Sequence, residues 1–215
     1  MVALENESKF RVLKNRKSLE IEIPSLISSL GFDFTTDEIS HVDVYLDNNL
    51  ELYRAGYSLR QRFRGGLLGC ITLKTLKTLD SEGHLRVEEE GSTFKEVLEK
   101  VGKKLRSIFQ NPSDEKAIDI LSKIESLRPV IILTKSRLNF KINQNKHVGC
   151  LSLDNYSYLL PKVFENITEL EIEGGSFLDQ LRQLVINKFS KGRNPTIGLS
   201  DKSKFETGLT LGGIV

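Results

Sequence analysis

Glu5, Glu7 and Lys9 stand two residues apart near the start of the chain, with Arg11 next in step. On a β-strand alternate residues share a face, so two carboxylates and two cations would line one side. The opposite face carries Leu4, Asn6, Ser8, Phe10 and Val12, mixed at first and apolar at its end. Carboxylate oxygens are ligands for hard divalent cations, and guanidinium and ammonium groups are partners for phosphate oxygens. The same device returns downstream: Arg60, Arg62 and Arg64 in step, then Thr72 with Lys74, then Arg86, Glu88 and Glu90. It continues with Lys135, Arg137 and Asn139, with Asp154, and with Glu169, Glu171 and Glu173. Three guanidinium groups on one strand face repel one another unless an anion or acidic neighbours lie opposite.

The elements that must carry these residues can be read from period and punctuation. Alternation predicts strands at the N-terminus and over 41–46, 57–64, 70–75, 84–90, 129–140, 150–158 and 167–173. In the 41–46 stretch, Val42, Val44 and Leu46 fall on one face and His41, Asp43, Tyr45 and Asp47 on the other. Gly65-Gly66 makes the fourth and third of these a hairpin, and 143–146 is a turn. Pro24 splits the apolar run of 18–30, which predicts an irregular start and a short helix ending at Gly31, with a polar turn at Thr35-Thr36-Asp37. Ser92 or Thr93 caps a helix through Phe94, Val97, Leu98, Val101, Leu105 and Ile108. Asn111-Pro112 ends it, Ser113 opens another through Ile118, Leu121 and Ile124, and Lys103, Lys104 and Arg106 lie on a solvated face. Ser176 caps a further helix using Phe177, Leu181, Leu184, Val185 and Phe189. Beyond Gly192 the chain is polar and turn-rich, and its close on Gly208, Gly212 and Gly213 predicts a loose tail.

An open sheet with its charged side in water would explain the alternation. It would not explain why so few of these positions are neutral Ser, Thr or Gln, nor why cations gather on some strands and acids on others. A closed barrel of about eight strands explains both, because interior and exterior positions alternate along every strand. A lumen crowded with Arg and Lys needs a polyanion, and one crowded with Glu needs divalent metal. Phosphate chains bound with Mg²⁺ or Mn²⁺ satisfy both.

Composition narrows the class. The 215 residues suit a single domain spanning 1–215. Lys and Arg total 31 against 29 acids, so a net charge of +2 makes no case for nucleic-acid binding. Cys70 and Cys150 are too few for a disulfide framework and fit half-buried free thiols in a reducing compartment. The start has acids where a signal peptide needs basic residues, and no stretch approaches a membrane span, so a cytoplasmic location is expected.

In order along nearly the whole chain, Glu5-x-Glu7-x-Lys9, Tyr45-Leu46-Asp47, Leu59-Arg60-Gln61-Arg62, Lys74, Arg86-Val87-Glu88, Arg137, Asp154, Glu171-Ile172-Glu173 and Ser203-Lys204-Phe205 resemble the CYTH superfamily, the triphosphate tunnel metalloenzymes. The resemblance implies an α+β fold, an eight-stranded antiparallel β-barrel tunnel with flanking helices. It implies that Lys9, Arg60, Arg62, Lys74, Arg86, Arg137 and Lys204 grip triphosphate oxygens, and that Glu5, Glu7, Glu88, Asp154, Glu171 and Glu173 hold one or two divalent ions, Mg²⁺ or Mn²⁺. Lys204 would sit on a C-terminal plug near 200–206 that closes one mouth. The implied catalytic residues are Lys9, Glu171 and Lys204: in-line attack by a metal-held water, with Lys9 stabilising or protonating the leaving pyrophosphate. Asn48 after Asp47 departs from the family's usual threonine. Glu169, Glu90, Lys135 and Lys202 stand as alternatives to Glu171 or Glu173, Glu88, Arg137 and Lys204.

Within such a family the expected reaction is hydrolysis of inorganic triphosphate. Thiamine recognition would use an aromatic platform, but the chain has no tryptophan and Ser58 precedes Leu59-Arg60. A class IV-type adenylate cyclase, a thiamine or nucleoside triphosphatase and a non-enzymatic polyphosphate-binding module are the rival readings. The partner expected is a small-molecule triphosphate, with no nucleic acid or membrane, for a monomer or homodimer.

Overall fold

In the computed structural model, strands β1 (Leu4–Val12), β2 (Asp33–Asp47), β3 (Tyr57–Arg64), β4 (Leu67–Thr75), β5 (Leu85–Gly91), β6 (Arg128–Gln144), β7 (His147–Tyr158), β8 (Asn166–Glu173) and β9 (Ile197–Leu199) pair antiparallel throughout. The structure describes residues 4–14, 16–76, 85–97, 99–100, 119, 123–144, 147–160, 165–191, 195–200 and 202–215; for 4–7, 75, 85–89, 124, 144 and 147 it describes the backbone alone. The sheet order is β5-β4-β3-β2-β6-β7-β8-β1-β9. The first residues of β1 also pair with β5, at Leu4↔Val87, Glu5↔Arg86 and Asn6↔Leu85, which joins the two ends of the eight-strand run. The expected antiparallel barrel is therefore present, with β9 as a ninth, three-residue strand beside the end of β1. The polar stretch after Gly192 gave no sign of β9.

Helices α1 (Arg16–Ser29) and α3 (Asp179–Val185) cover one outer side. Leu19, Ile23 and Ile27, spaced four apart, form a stripe on α1 that is wholly buried against Phe140, Ile142, Leu153 and Leu170 of the strands and Leu181 and Val185 of α3. This stripe corrects the expectation that Pro24 breaks the segment: α1 runs through it without interruption. A proline inside a helix costs about 3 kcal/mol. Three fully buried aliphatic side chains contribute roughly 1.5–3 kcal/mol each, so packing outweighs the lost hydrogen bond. On the other outer side, α2 (Glu51–Arg54) and the helical residues 94–97 pack Leu52 and Val97 on Leu46, Leu59, Ile71 and Leu73. Thr93 Oγ1 accepts from the Glu96 amide at 3.2 Å, and so caps that helix. Leu98, Val101, Leu105 and Ile108, the basic run at Lys103, Lys104 and Arg106, and Ser113, Ile118 and Leu121 of the next expected helix lie outside the described residues, while Ile124 begins a 3₁₀ turn, Ile124–Ser126.

Three further expectations are corrected. Thr35, Thr36 and Asp37 do not turn but pair with Lys141, Phe140 and Asn139 inside the long strand β2, where β-branched residues are at home. Ser176 does not cap α3: it starts a single 3₁₀ turn, Ser176–Leu178, with no side-chain cap. The C-terminus is no loose tail but helix α4 (Lys204–Leu211). Its capping box is complete, with Ser203 Oγ accepting from the Glu206 amide at 3.1 Å and the Ser203 amide donating to the Glu206 carboxylate at 2.9 Å. Gly208 marks close approach and not freedom, since a Cβ there would stand 2.7 Å from the Tyr158 ring and 2.9 Å from Ile131.

The Gly65-Gly66 hairpin forms as expected, both glycines with positive φ (57° and 82°) and β4 beginning at Leu67. The register places unlike charges opposite each other: Lys9↔Glu171, Asp43↔Arg62, Lys74↔Glu88, Arg137↔Asp154 and Glu5↔Arg86.

Candidate active site

Two groups of charged residues line the inner strand faces, and they meet where His41 of β2 lies opposite Lys135 of β6. The first is centred on Asp154, which is fully buried on β7. Arg137 of β6 reaches it with Nε at 2.5 Å and Nη2 at 2.7 Å, and Lys135 Nζ lies at 2.7 Å. Lys204 of α4 comes within 3.1 Å of both Asp154 and Glu169 and donates to Glu171. Arg137 donates to Glu171 as well and stands 3.7 Å from Glu173, while Lys9 Nζ is 4.0 Å from Glu171.

Burial pushes the Asp154 carboxyl up and the neighbouring Glu171 adds to it. Lys204, Lys135 and Arg137 outweigh both and hold Asp154 well below the usual carboxylate range. Glu171 is held down by Lys204, Arg137 and Lys9 against the same burial. Lys135 goes the other way despite its bond to Asp154: burial, with Lys204 and Arg137 nearby, lowers it to about 7. Lys204 is raised, because three carboxylates outweigh its burial.

The second group is centred on Asp43, wholly buried on β2. Arg62 of β3 binds it in bidentate fashion at 2.8 and 3.0 Å, and Arg60 Nη1 lies at 3.6 Å. Arg60 also donates to Thr72 Oγ1 at 2.9 Å, which in turn donates to Glu90 at 3.1 Å. The bidentate grip fixes the guanidinium of Arg62; burial pushes the Asp43 carboxyl up, but His41, Arg62 and Arg60 outweigh it and keep Asp43 ionised. Arg64 is exposed, displaced by an irregularity in register after Arg62.

The inner faces are not charged along their whole length. At one end Tyr45, Ile131, Leu133, Tyr156, Tyr158 and Ile167, in step with the charged positions, pack on Phe205 and Leu209 of α4. Phe205 stacks on Tyr45 at 5.1 Å between ring centroids, and Tyr158 Oη donates to the Lys204 carbonyl at 2.6 Å. This apolar end corrects the expectation of one wholly charged and one wholly apolar face. It carries Lys204 into the carboxylates and leaves its Nζ 5.3 Å over the Tyr156 ring.

Of the residues read from sequence, Lys9, Arg137, Asp154, Glu171, Glu173 and Lys204 come together in one group and Arg60 and Arg62 in the other. Lys74 of β4 is half-buried, opposite Glu88. Glu5, Glu7, Arg86 and Glu88 are placed by backbone register alone, Glu7 directly opposite Glu173. Among the alternatives, Glu169 and Lys135 join the Asp154 group beside their neighbours and not in place of them. Lys202 is exposed, 3.4 Å from Thr210, while Glu90, although exposed, joins the Asp43 group, 3.6 Å from Arg60. Asp43 and His41 were missed, although their place on the face opposite Val42 and Val44 was legible. Asp47 is a helix cap: its carboxylate accepts from the Leu52 and Tyr53 amides at 2.9 and 3.0 Å. Both cysteines are free and half-buried.

The ligand set that a metal would find is carboxylate oxygen alone, the donor chemistry of a hard divalent ion. Among the described residues no three such groups are placed to hold a metal ion, and the three carboxylates that do converge, Asp154, Glu169 and Glu171, converge on the Lys204 ammonium. Glu171 and Glu173 of β8 lie opposite Lys9 and Glu7 of β1 in backbone register.

A barrel that carries clustered cations and carboxylates on its inner faces defines the class: an anion-handling tunnel protein. The CYTH domain model matches residues 3–207, and the chain belongs to the CYTH domain family. That family is in general one of metal-dependent tunnel enzymes, and its members include triphosphatases and adenylate cyclases. Among solved structures, HpAC1 from Hippeastrum, a candidate adenylyl cyclase that reveals a dominant triphosphatase activity, is similar at a TM-score of 0.58 and 15% identity over 96% of this chain and 95% of that one. A candidate adenylate cyclase from Bacillus halodurans is similar at 0.51 and 22% identity over 94% and 96%. At these identities the likeness is one of fold. No curated protein matches the sequence. Among the described residues no helix is long and apolar enough to cross a membrane.

Proposed function

We propose that the protein hydrolyses inorganic triphosphate with Mg²⁺ or Mn²⁺. The observation that carries this reading is the pair of buried charge clusters, which set Arg60 and Arg62 on one wall and Lys9, Lys135, Arg137 and Lys204 on the other. A compact chain of phosphates offers oxygens to both walls, and the cations would neutralise charge that develops on the leaving pyrophosphate. Water attacks the terminal phosphorus in line, the bridging P–O bond breaks, and pyrophosphate leaves, with Lys9 placed to stabilise or protonate it. Glu171 and Glu173 with Glu5 and Glu7 would hold the divalent ion, which when bound neutralises phosphate charge and acidifies a water. Asp43 keeps Arg60 and Arg62 in place throughout. The packed apolar end supports a short substrate, because α4 acts as a plug at that mouth. HpAC1, with its dominant triphosphatase activity, supports hydrolysis over cyclisation.

The test is release of phosphate and pyrophosphate from inorganic triphosphate, ATP, GTP and thiamine triphosphate, with Mg²⁺, Mn²⁺ or chelator and a Lys9→Ala control. Metal-dependent release, fastest from inorganic triphosphate and lost in the control, is expected. Cyclic AMP and pyrophosphate from ATP would move the reading to a cyclase, and tight binding without turnover to a polyphosphate-binding module.

A further inference from the structure

His41 has no task in the reading above, yet it occupies the junction of the two clusters. It is 6% exposed, and neither ring nitrogen has a hydrogen-bond partner among the described residues. A buried donor or acceptor left unpaired costs roughly 1–3 kcal/mol. The nearest charged atom is Asp43 Oδ2, 3.6 Å from Nε2 and beyond hydrogen-bond reach. The groups facing the ring are Asp43 on its own strand, Arg62 on β3 and Lys135 on β6, with Arg60 beside Asp43. Burial lowers the imidazole below its ordinary value, with Arg62 and Lys135 adding to it and Asp43 pulling the other way. An anion between β2, β3 and β6 would offset the lost solvation of a charged ring and give its unpaired nitrogen a partner.

We propose that His41 is a proton-linked ligand of the bound polyphosphate, an imidazole that is neutral in the ligand-free protein and becomes an imidazolium donating to a phosphate oxygen on binding. This rests on the reading that the tunnel takes a triphosphate, and adds to it a specific contact and a pH dependence. Because the bound form holds more protons at this site, affinity strengthens as pH falls through the bound-state value toward the free one. Lys135 is a second group able to take up a proton on binding, so a net proton count does not identify the site. A residue-resolved measurement does.

The experiment follows the carbon-bound ring protons of wild-type protein by NMR from about pH 5 to 9, with and without tripolyphosphate in chelator, and calorimetry on the same samples confirms binding. The chain has 3 histidines. The His41 signal is assigned by its loss in His41→Gln or, if that variant does not fold, by elimination with His84→Gln and His147→Gln. The expected result is a His41 midpoint that rises by about one pH unit or more on saturation, which is about tenfold in affinity. Tripolyphosphate that binds while the His41 midpoint stays in place overturns this proposal alone. Absence of tripolyphosphate binding both in chelator and with Mg²⁺ added overturns the triphosphate reading and this one with it.

Discussion

At the scale of single residues, the interior is a set of ion pairs whose members constrain one another's protonation. Glu171 touches Arg137 and Lys204 and faces Lys9. Replacing it with Gln keeps the shape and removes the charge; we expect product release from inorganic triphosphate to fall by about 100-fold or more while tripolyphosphate still binds in calorimetry. Retained turnover would remove Glu171 from the chemistry. Lys135 gives a second prediction. Its folded value of about 7 is below its ordinary 10.5, so between these values the unfolded chain holds the extra proton. Stability of the ligand-free protein should therefore rise with pH across that window. Denaturation midpoints in Lys135→Met should lack that rise.

At the scale of elements, α4 decides more than its 8 residues suggest. Its capping box fixes where the helix begins, and Gly208 lets the helix backbone lie on Tyr158 and Ile131. Together they set the depth at which Lys204 meets the carboxylates. Ser203→Ala should cost about 1 kcal/mol of stability. Gly208→Val should cost roughly 1–3 kcal/mol through overpacking and also impair turnover by shifting Lys204. Urea titrations and product assays measure the two effects separately; a Gly208→Val protein with unchanged stability and turnover would show that the close approach is not needed.

At the scale of the whole molecule, the strand order explains why cations and acids gather on different strands. Arg60 and Arg62 on β3 lie next to Asp43 on β2, and the glutamates of β8 lie next to Lys9 on β1 and Arg137 beyond β7. Each like-charged face is neutralised by its neighbour, so the barrel can fold without ligand. Asp43→Asn breaks this balance in the Arg60–Arg62 wall. Removing one partner of a buried pair costs about 3–5 kcal/mol. We expect a lower melting temperature for the free protein and a larger upward shift on adding tripolyphosphate than in wild type, read by thermal denaturation. Equal shifts in the two proteins would show that Asp43 does not balance that wall.

Local chemistry made much of this legible in advance. The period-2 pattern at 57–64 and 167–173 placed β3 and β8, because a strand must put alternate residues on opposite faces whatever it packs against. The same pattern placed Arg60, Arg62, Glu171 and Glu173 on their shared faces. Pro24, Thr35-Thr36 and Gly208 misled, because a residue's intrinsic preference is worth about 1–3 kcal/mol and burial against distant partners overrides it. Asp43 looked like any strand carboxylate until β3 was laid beside it, and His41 until β6 was. Sequence determined which residue types could meet a polyanion and a hard cation, since spacing along one strand is a local property. Which of them do meet was decided by cross-strand register and by the burial of α4, since those contacts join positions far apart in the chain.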